Sequence, residues 1–333
     1  MDMVFLPEEK LNRPGVGNVS ILSQSGAFGS AFLDIMGSLG AGNYVSKFVS
    51  YGNASDINEA DILEYFGEDP ETKIILAYLE GFKDGRRFIE VARRVSLKKP
   101  IIAIKANRTA AGAKAVASHT ASLAANDDVT EALFKEAGII RAYTWDDLFD
   151  CMLAFNGSVL PKGDRTLIIT DGGGAGVMAS DAIGLLDLEL AELSSEVKSK
   201  MESDLPSYYS VANPIDLTGS ATADQYIYAL EQTINDPNID SIVYIIIPTP
   251  PAVDVKALMD GIKPFEKKVK KAITFCAIGG KEADFIREEL EKLQFPFYPT
   301  PARTVKAIRQ LTDYANYLQD HNAPFPKIRE VAE

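Results

Sequence analysis

Short apolar runs recur along the chain, each followed by a polar or glycine turn and then by apolar residues at helical spacing. The first run, NVSIL, ends in the turn SQSGA, and FGSAFLDIMGSLG follows with Phe28, Phe32, Ile35, Met36 and Leu39 near one helix face. That predicts strand, tight turn, helix. YVSKFVSYG (44–52) predicts a second strand. DINEADILEYFGED (56–69) predicts a capped amphipathic helix, with Asp56 or Asn58 at the cap, acids in the first turn, and Ile57, Leu63 and Phe66 facing inward. KIILAYLEG (73–81) is almost continuously apolar, as in a strand buried on both faces of a parallel sheet. GRRFIEVARRVSL predicts a helix and KPIIAIKAN (99–107) a fourth strand; VTEALFKEAG, IIRAY and WDDLFDCMLAF complete the first half.

The second half repeats the order. DRTLIITDGGGAGVMASDAIGLL (164–186) is again strand, glycine turn, helix. Each half places a helix before an Asp-Pro pair, Asp69-Pro70 and Asp236-Pro237, and an apolar strand after it, KIILAYLEG and SIVYIIIPTP. A lysine pair then leads into another strand, KKPIIAIKAN and KKAITFCAIGG. The pattern predicts the α/β class, as two similar doubly wound parallel-sheet units with helices on both faces. The expected division is a connector over 1–17, a first domain over 18–158, a second over 159–320 and a tail over 321–333.

Composition narrows the function classes. A net charge of −13 and a pI near 4.8, with dispersed Lys and Arg, exclude a nucleic-acid surface. Cys151 and Cys276 each sit in an apolar run and read as buried thiols; without CxxC, HExxH or a histidine pair, no His- or Cys-based metal site is expected. The N-terminus lacks a signal peptide's apolar core, and the longest apolar run, Ile242–Ile247, is too short to span a bilayer. The expectation is a soluble cytoplasmic protein with no membrane partner.

In an open parallel sheet, ligands bind beyond the carboxyl ends of the strands. Ser25 and Gly26 follow the first strand, Asn53 the second and Glu80 the third; Lys105 closes the fourth. From there leaves GAKAVASHTASLA (Gly112–Ala124), where His119 sits among Ala115, Ala117, Ser118, Thr120, Ala121 and Ser122. The second half presents Gly172–Gly176 and Asp216–Gly219 at matching ends. SQSGAFG and DGGGAG each open a helix, whose free N–H groups favour anions, phosphate above all. The candidate phosphate-binding residues are therefore Ser23, Gln24, Ser25, Gly26 and Ala27, with Gly172, Gly173, Gly174, Ala175 and Gly176. Neither turn fits the dinucleotide fingerprint, and each alone reads equally as a tight strand–helix connection. Alone, His119 reads as a surface histidine and Glu80 as an exposed strand-end acid. Together they suggest a carboxylate that fixes the imidazole tautomer and leaves the other nitrogen as nucleophile. His321 reads as solvent-exposed, and Trp145 and the pair Tyr208–Tyr209 as packing. A serine hydrolase built on Ser25 and His119 lacks the G-x-S-x-G elbow and a placed acid.

ILSQSGAFGSAFLD, SKFVSYGNASDINEADILEYFGEDPETK, the stretch from YLEGFKDGRRF to AVASHTASLA, and NPIDLTG resemble the NDP-forming acyl-CoA synthetase family. That family includes ADP-forming acetate–CoA ligase and is related to succinyl-CoA synthetase. The likeness runs from about residue 5 to 320. It implies two flavodoxin-like domains, with the family's CoA-binding Rossmann domain and ATP-grasp region supplied elsewhere, so that the chain is a subunit or a fragment. It implies acyl-CoA, CoA and phosphate as substrates, a small carboxylic acid as product, ATP/ADP with Mg²⁺ on the ATP-grasp partner, and an oligomer. By resemblance, His119 is the phosphorylated residue, Glu80 the acid that hydrogen-bonds it, and the two glycine turns the helix starts that hold the phosphoryl group. TDGGG departs from the family's usual SNAGG or NGAG, placing Asp171 beside an anion site unless it turns away to cap the helix. The alternative is a non-catalytic acyl-CoA-binding or regulatory module, or part of a synthetase-like protein acetyltransferase; the joint presence of His119 and Glu80 favours the enzyme.

Overall fold

The structure is a computed structural model that describes residues 7–38, 44–109, 111–112, 126–268 and 270–329. Leu39 and the segment carrying His119 lie outside these residues. The chain divides into two compact units, Met1–Met152 with Tyr317–Pro326, and Leu153–Asn316 with Lys327–Glu333.

In the first unit, β1 (Val16–Ser23), β2 (Val45–Ser50), β3 (Ile74–Leu79), β4 (Ile101–Lys105) and β5 (Ile139–Ala142) form a sheet in the order β2-β1-β3-β4-β5. Every pairing is parallel, so all five strands end at one edge. This is the flavodoxin-like order, with its ligand crevice where the order turns beside β1. α1 (Gly26–Ser38), α2 (Glu59–Glu68), α3 (Gly85–Ser96), α4 (Asp127–Glu136) and α5 (Trp145–Gly157) connect and follow the strands. Phe32 and Met36 of α1 are fully buried, as their spacing predicts. Leu63 and Phe66 of α2 join Leu22, Ile75 and Phe88 in one core.

Ile57 corrects the expectation for α2. Asn58 is the cap: its Oδ1 accepts from Ala60 N at 2.9 Å, and Asp61 Oδ2 accepts from Asn58 N at 3.0 Å. This reciprocal pair starts the helix at Glu59 and leaves Ile57 ahead of it, 57% exposed.

In the second unit, β6 (Arg165–Thr170), β9 (Ser241–Ile246), β10 (Ala272–Ala277) and β11 (Phe297–Tyr298) lie side by side, with β7 (Glu189–Leu190) and β8 (Ile215–Asp216) sharing the other edge of β6. β7 meets Arg165 and Thr166, whereas β8 meets Ile169 and Thr170. Read from β8, the order β8-β6-β9-β10-β11 repeats that of the first unit. Every residue of β9 and β10 is buried, so both faces of this sheet are covered. The helices are α6 (Gly173–Leu185), α7 (Ser195–Asp204), α8 (Ala223–Thr233), α9 (Val255–Ile262), α10 (Lys281–Lys292) and α11 (Pro301–Asp320).

The sequence repeat has a physical counterpart. Lys99 Nζ donates to Phe66 O at 2.7 Å and Asp69 O at 2.6 Å, where α2 ends. Lys271 Nζ donates to Ile239 O at 2.7 Å and to Asp236 O, in the turn after α8. In each unit the second lysine of the pair latches the Asp-Pro turn to the next strand, its cation sharing Asp69 O with Thr72 N and Asp236 O with Ile239 N. Among the described residues no helix is long and apolar enough to cross a membrane.

Lys99→Met and Lys271→Met each remove two charge-assisted hydrogen bonds to turn carbonyls and are expected to lower the unfolding free energy by about 1–3 kcal/mol. Denaturant titration of the two variants checks this; two unchanged midpoints would show that the latches contribute nothing.

Candidate functional site

The first turn is built around the last residue of β1. Ser23 is buried, and its Oγ donates to Ser25 O at 2.8 Å and accepts from Ser25 N at 3.2 Å. Ser25 then caps α1: its Oγ accepts from Phe28 N at 3.2 Å and its carbonyl from Gly29 N at 3.0 Å. Gln24 is committed elsewhere. Its N–H donates to Tyr78 O at 3.1 Å, and its Oε1 accepts from Gly81 N at 2.9 Å and from Glu80 N. Of the five residues expected to bind phosphate here, Gly26 and Ala27 are exposed, and their N–H groups have no hydrogen bond among the described residues.

Glu80 follows β3 at the same edge, half-buried. Its peptide groups are tied on both sides, the N–H to Gln24 and the carbonyl to Lys105 Nζ at 2.8 Å. Its carboxylate charge reaches the phenols of Tyr51 and Tyr78. Burial raises both; Glu59 and then Glu80 add to the rise at Tyr51, and Glu80 adds to it at Tyr78. Lys105 is only 3% exposed and also donates to Ala106 O at 2.6 Å. Burial lowers its ammonium, with Asp127 and Glu80 opposing that effect and Arg141 adding to it.

The chain leaves β4 through Asn107, buried with a left-handed φ of 67°. Arg108 pairs with Asp127 at 3.2 Å across the segment that carries His119, and Arg141 also holds Asp127 and, at 2.6 Å, Glu131. Burial opposes ionisation of Asp127, but Arg141 and Arg108 hold its carboxyl below the usual range. The sequence reading missed this network because no local spacing marks it. His119, and with it the expected pairing with Glu80, lies outside the described residues.

The second turn copies the first. Thr170 Oγ1 donates to Gly172 O at 3.2 Å and accepts from Gly172 N at 3.1 Å, and Gly172 O accepts from Gly176 N at 3.0 Å. Asp171 stands in the place of Gln24: its Oδ1 accepts from Ile247 N at 2.9 Å, just past β9. The carboxylate thus turns away from the helix start, but toward β9 rather than into a cap. Gly172 offers no side-chain cap, so Gly173, Gly174 and Ala175 have N–H groups unpaired among the described residues. The acid nearest this start is Asp216. A Cβ on Gly173 would meet its Oδ2 at 3.0 Å, whereas in the first unit a Cβ on Gly26 would meet the Ser50 hydroxyl at 3.8 Å. Pairing of Thr170 with Asp216 brings that carboxylate to the helix start.

The remaining candidates fall as follows. Trp145 packs edge-on against Phe28 at 4.5 Å, and His321 is exposed with Nδ1 2.8 Å from Tyr317 O. Tyr209 is buried, and Tyr208, 65% exposed, packs edge-on against it with ring centroids 5.0 Å apart.

Burial raises the Asp171 carboxyl above its ordinary value. Such an acid contributes its full stability below the unfolded-state pKa and loses it as pH rises through the folded value. Asp171→Asn keeps the acceptor for Ile247 N and removes the titration. Unfolding free energy measured from roughly pH 4 to pH 7 is expected to fall less in the variant, which at pH 7 is at least as stable as wild type. A steeper fall in the variant would contradict the assignment.

Two family models match, a succinyl-CoA ligase-like flavodoxin domain over residues 16–155 and a ligase-CoA domain over 166–311. The alpha subunit of ADP-forming acetate–CoA ligase I of Pyrococcus furiosus is 41% identical over 309 residues, covering 92% of this chain and 66% of that subunit. The ADP-forming acetate–CoA ligase of Methanocaldococcus jannaschii is 40% identical over 330 residues, covering 95% of this chain and 46% of the relative. The solved structure of the dinucleotide-forming acetyl-coenzyme A synthetase 1 of Ca. Korarchaeum cryptofilum, in complex with phosphate and ADP, matches with a TM-score of 0.85 and 35% identity, over 93% of this chain and 68% of that one. The chain therefore spans just under two thirds of the first relative and under half of the second. With both units covered by these matches, the chain belongs to the ADP-forming acyl-CoA synthetase family and carries its succinyl-CoA ligase-like flavodoxin domain followed by its ligase-CoA domain.

Proposed function

We propose that this chain is part of an ADP-forming acyl-CoA synthetase of the acetate–CoA ligase type, in which His119 carries the phosphoryl group. The observation that carries this reading is the duplicated helix start. Two turns with the same hydrogen-bond framework end in exposed residues, Gly26–Ala27 and Gly173–Gly174, whose N–H groups have no hydrogen bond among the described residues. Such termini suit a phosphoryl group without needing free cations, which fits an acidic chain.

In the reaction, phosphate attacks the thioester carbonyl of acyl-CoA, giving acyl phosphate and CoA. An imidazole nitrogen of His119 then attacks phosphorus, and the carboxylate leaves. ADP takes the phosphoryl group from phosphohistidine, making ATP and restoring the imidazole. Glu80 accepts a hydrogen bond from the second ring nitrogen, fixing the tautomer and favouring the charge that develops on the ring. The N–H groups of Gly26 and Ala27, and of Gly173, Gly174 and Ala175, bind phosphoryl oxygens at the two stations. Positioning and charge stabilisation supply most of the catalysis in such transfers. At the second station Asp216 lies beside Gly173, and its carboxylate weakens the hold on an anion there. The two domains of this scheme are 18–158 and 159–320, which differ by a few residues from the compact units at Met1–Met152 and Leu153–Asn316. The nucleotide and its Mg²⁺ belong to an ATP-grasp partner, CoA to a Rossmann domain, and the assembly is an oligomer acting in the cytoplasm.

The test is incubation with the ATP-grasp partner, Mg²⁺ and γ-labelled ATP. An acid-labile, base-stable phosphoprotein is expected, absent in His119→Ala. Glu80→Ala should slow labelling on the order of 10²-fold, because the tautomer and ring orientation are no longer held. Equal labelling of wild type and His119→Ala would end the phosphohistidine assignment.

A further inference from the structure

We propose that Lys105 is a positioning residue for phosphoryl transfer, its buried ammonium fixing the main chain of Glu80 against the first residue of the segment that leads to His119. The proposal rests on the roles given above to Glu80 and His119.

The geometry is specific. Lys105 Nζ donates to Glu80 O at 2.8 Å and to Ala106 O at 2.6 Å. The peptide joining Glu80 to Gly81 is thereby held at both polar atoms, its carbonyl by Lys105 and its N–H by Gln24 at 2.9 Å. The Glu80 N–H is also taken by Gln24. With its backbone pinned on both sides, Glu80 moves only through its side-chain torsions. The same ammonium holds Ala106, where the chain departs toward 113–125. One cation therefore sets the acid-bearing strand end and the root of the histidine-bearing segment in register.

The second unit supplies an internal control. Leu79 pairs with Lys105, and Ile246 pairs with Ala277, so Ala277 occupies the lysine's position. Ile247 there stands in the place of Glu80. The strand exit is otherwise the same: Ala106 N donates to Leu79 O at 2.8 Å, Ile278 N to Ile246 O at 3.0 Å, and Asp171 holds Ile247 N as Gln24 holds Glu80 N. This fold forms its strand exit without a lysine where no acid follows. Burying an ammonium is costly and needs a return. In the first unit, lysine and acid occur together, and the charges of Asp127 and Glu80 favour the ammonium against burial and Arg141.

A double-mutant cycle tests this, reading the initial rate of label transfer from MgATP to His119 with the full chain and its ATP-grasp partner. Lys105→Met is expected to slow transfer on the order of 10²-fold, with the KM for ATP changed by less than about twofold. On the Glu80→Gln background the same substitution should cost less than about threefold more, because a residue acting through Glu80 has nothing left to position. Lys105→Arg, which keeps charge and donors, should recover most of the rate. If Lys105→Met does not unfold cooperatively, Lys105→Gln replaces it in the same cycle. Losses that multiply across the cycle would overturn the proposal and leave Lys105 a structural residue. Equal labelling of His119→Ala and wild type instead overturns the phosphohistidine reading, whatever the cycle shows.

Discussion

A hydroxyl on the last residue of a strand, bonded to both the N–H and the carbonyl two residues on, is the constraint from which the candidate site is built. Ser23 does this for Ser25, and Thr170 for Gly172. A parallel strand that passes directly into a helix leaves both groups at a sheet edge with no ladder partner. One hydroxyl satisfies the pair, and the next carbonyl bond, Gly29 N to Ser25 O or Gly176 N to Gly172 O, is already helical. The helix axis, and with it the N–H groups that have no hydrogen bond among the described residues, is thus aimed by a single side chain. The position between hydroxyl and cap has the second task, reaching across to the neighbouring strand end, as Gln24 and Asp171 do.

On this shared frame the two units carry different chemistry. The first has Ser25 as a side-chain cap, Ser50 beside Gly26, Glu80 past β3 and Lys105 closing β4. The second has Gly172, Asp216 beside Gly173, Ile247 and Ala277 at the matching places. The first start is neutral and sits with an acid and a buried cation. The second frees more N–H groups but keeps a carboxylate close. The two units share these backbone bonds and differ in the side chains that meet at the strand ends.

Much of this was legible in the chain. The α/β class and the parallel sheets follow from continuous apolar runs such as SIVYIIIPTP, which suit strands covered on both faces. The repeated Asp-Pro and Lys-Lys marks are real structural repeats, since Lys99 and Lys271 perform the same latch. Ile57 was misplaced because its spacing fits the helix face, while the cap is decided by a side-chain bond one residue later. Gln24, one of the expected phosphate-binding residues, spends its N–H and Oε1 on Tyr78, Glu80 and Gly81, which leaves its side-chain NH2 as the group it could offer a ligand. Asp171 raised an electrostatic objection that belongs instead to Asp216.

Element type, order and the edge where candidate residues gather are set by the sequence alone, because periodicity, caps and turn residues act over a few positions and parallel pairing sends all strand ends to one side. Which of those residues remain free to act was decided only by tertiary structure. Gln24 meets Glu80, Lys105 reaches Glu80 O, and Asp216 meets Gly173 because strand register joins positions far apart in the chain. A donor or acceptor already satisfied across the sheet is no longer available to a ligand, and only the fold determines which are satisfied.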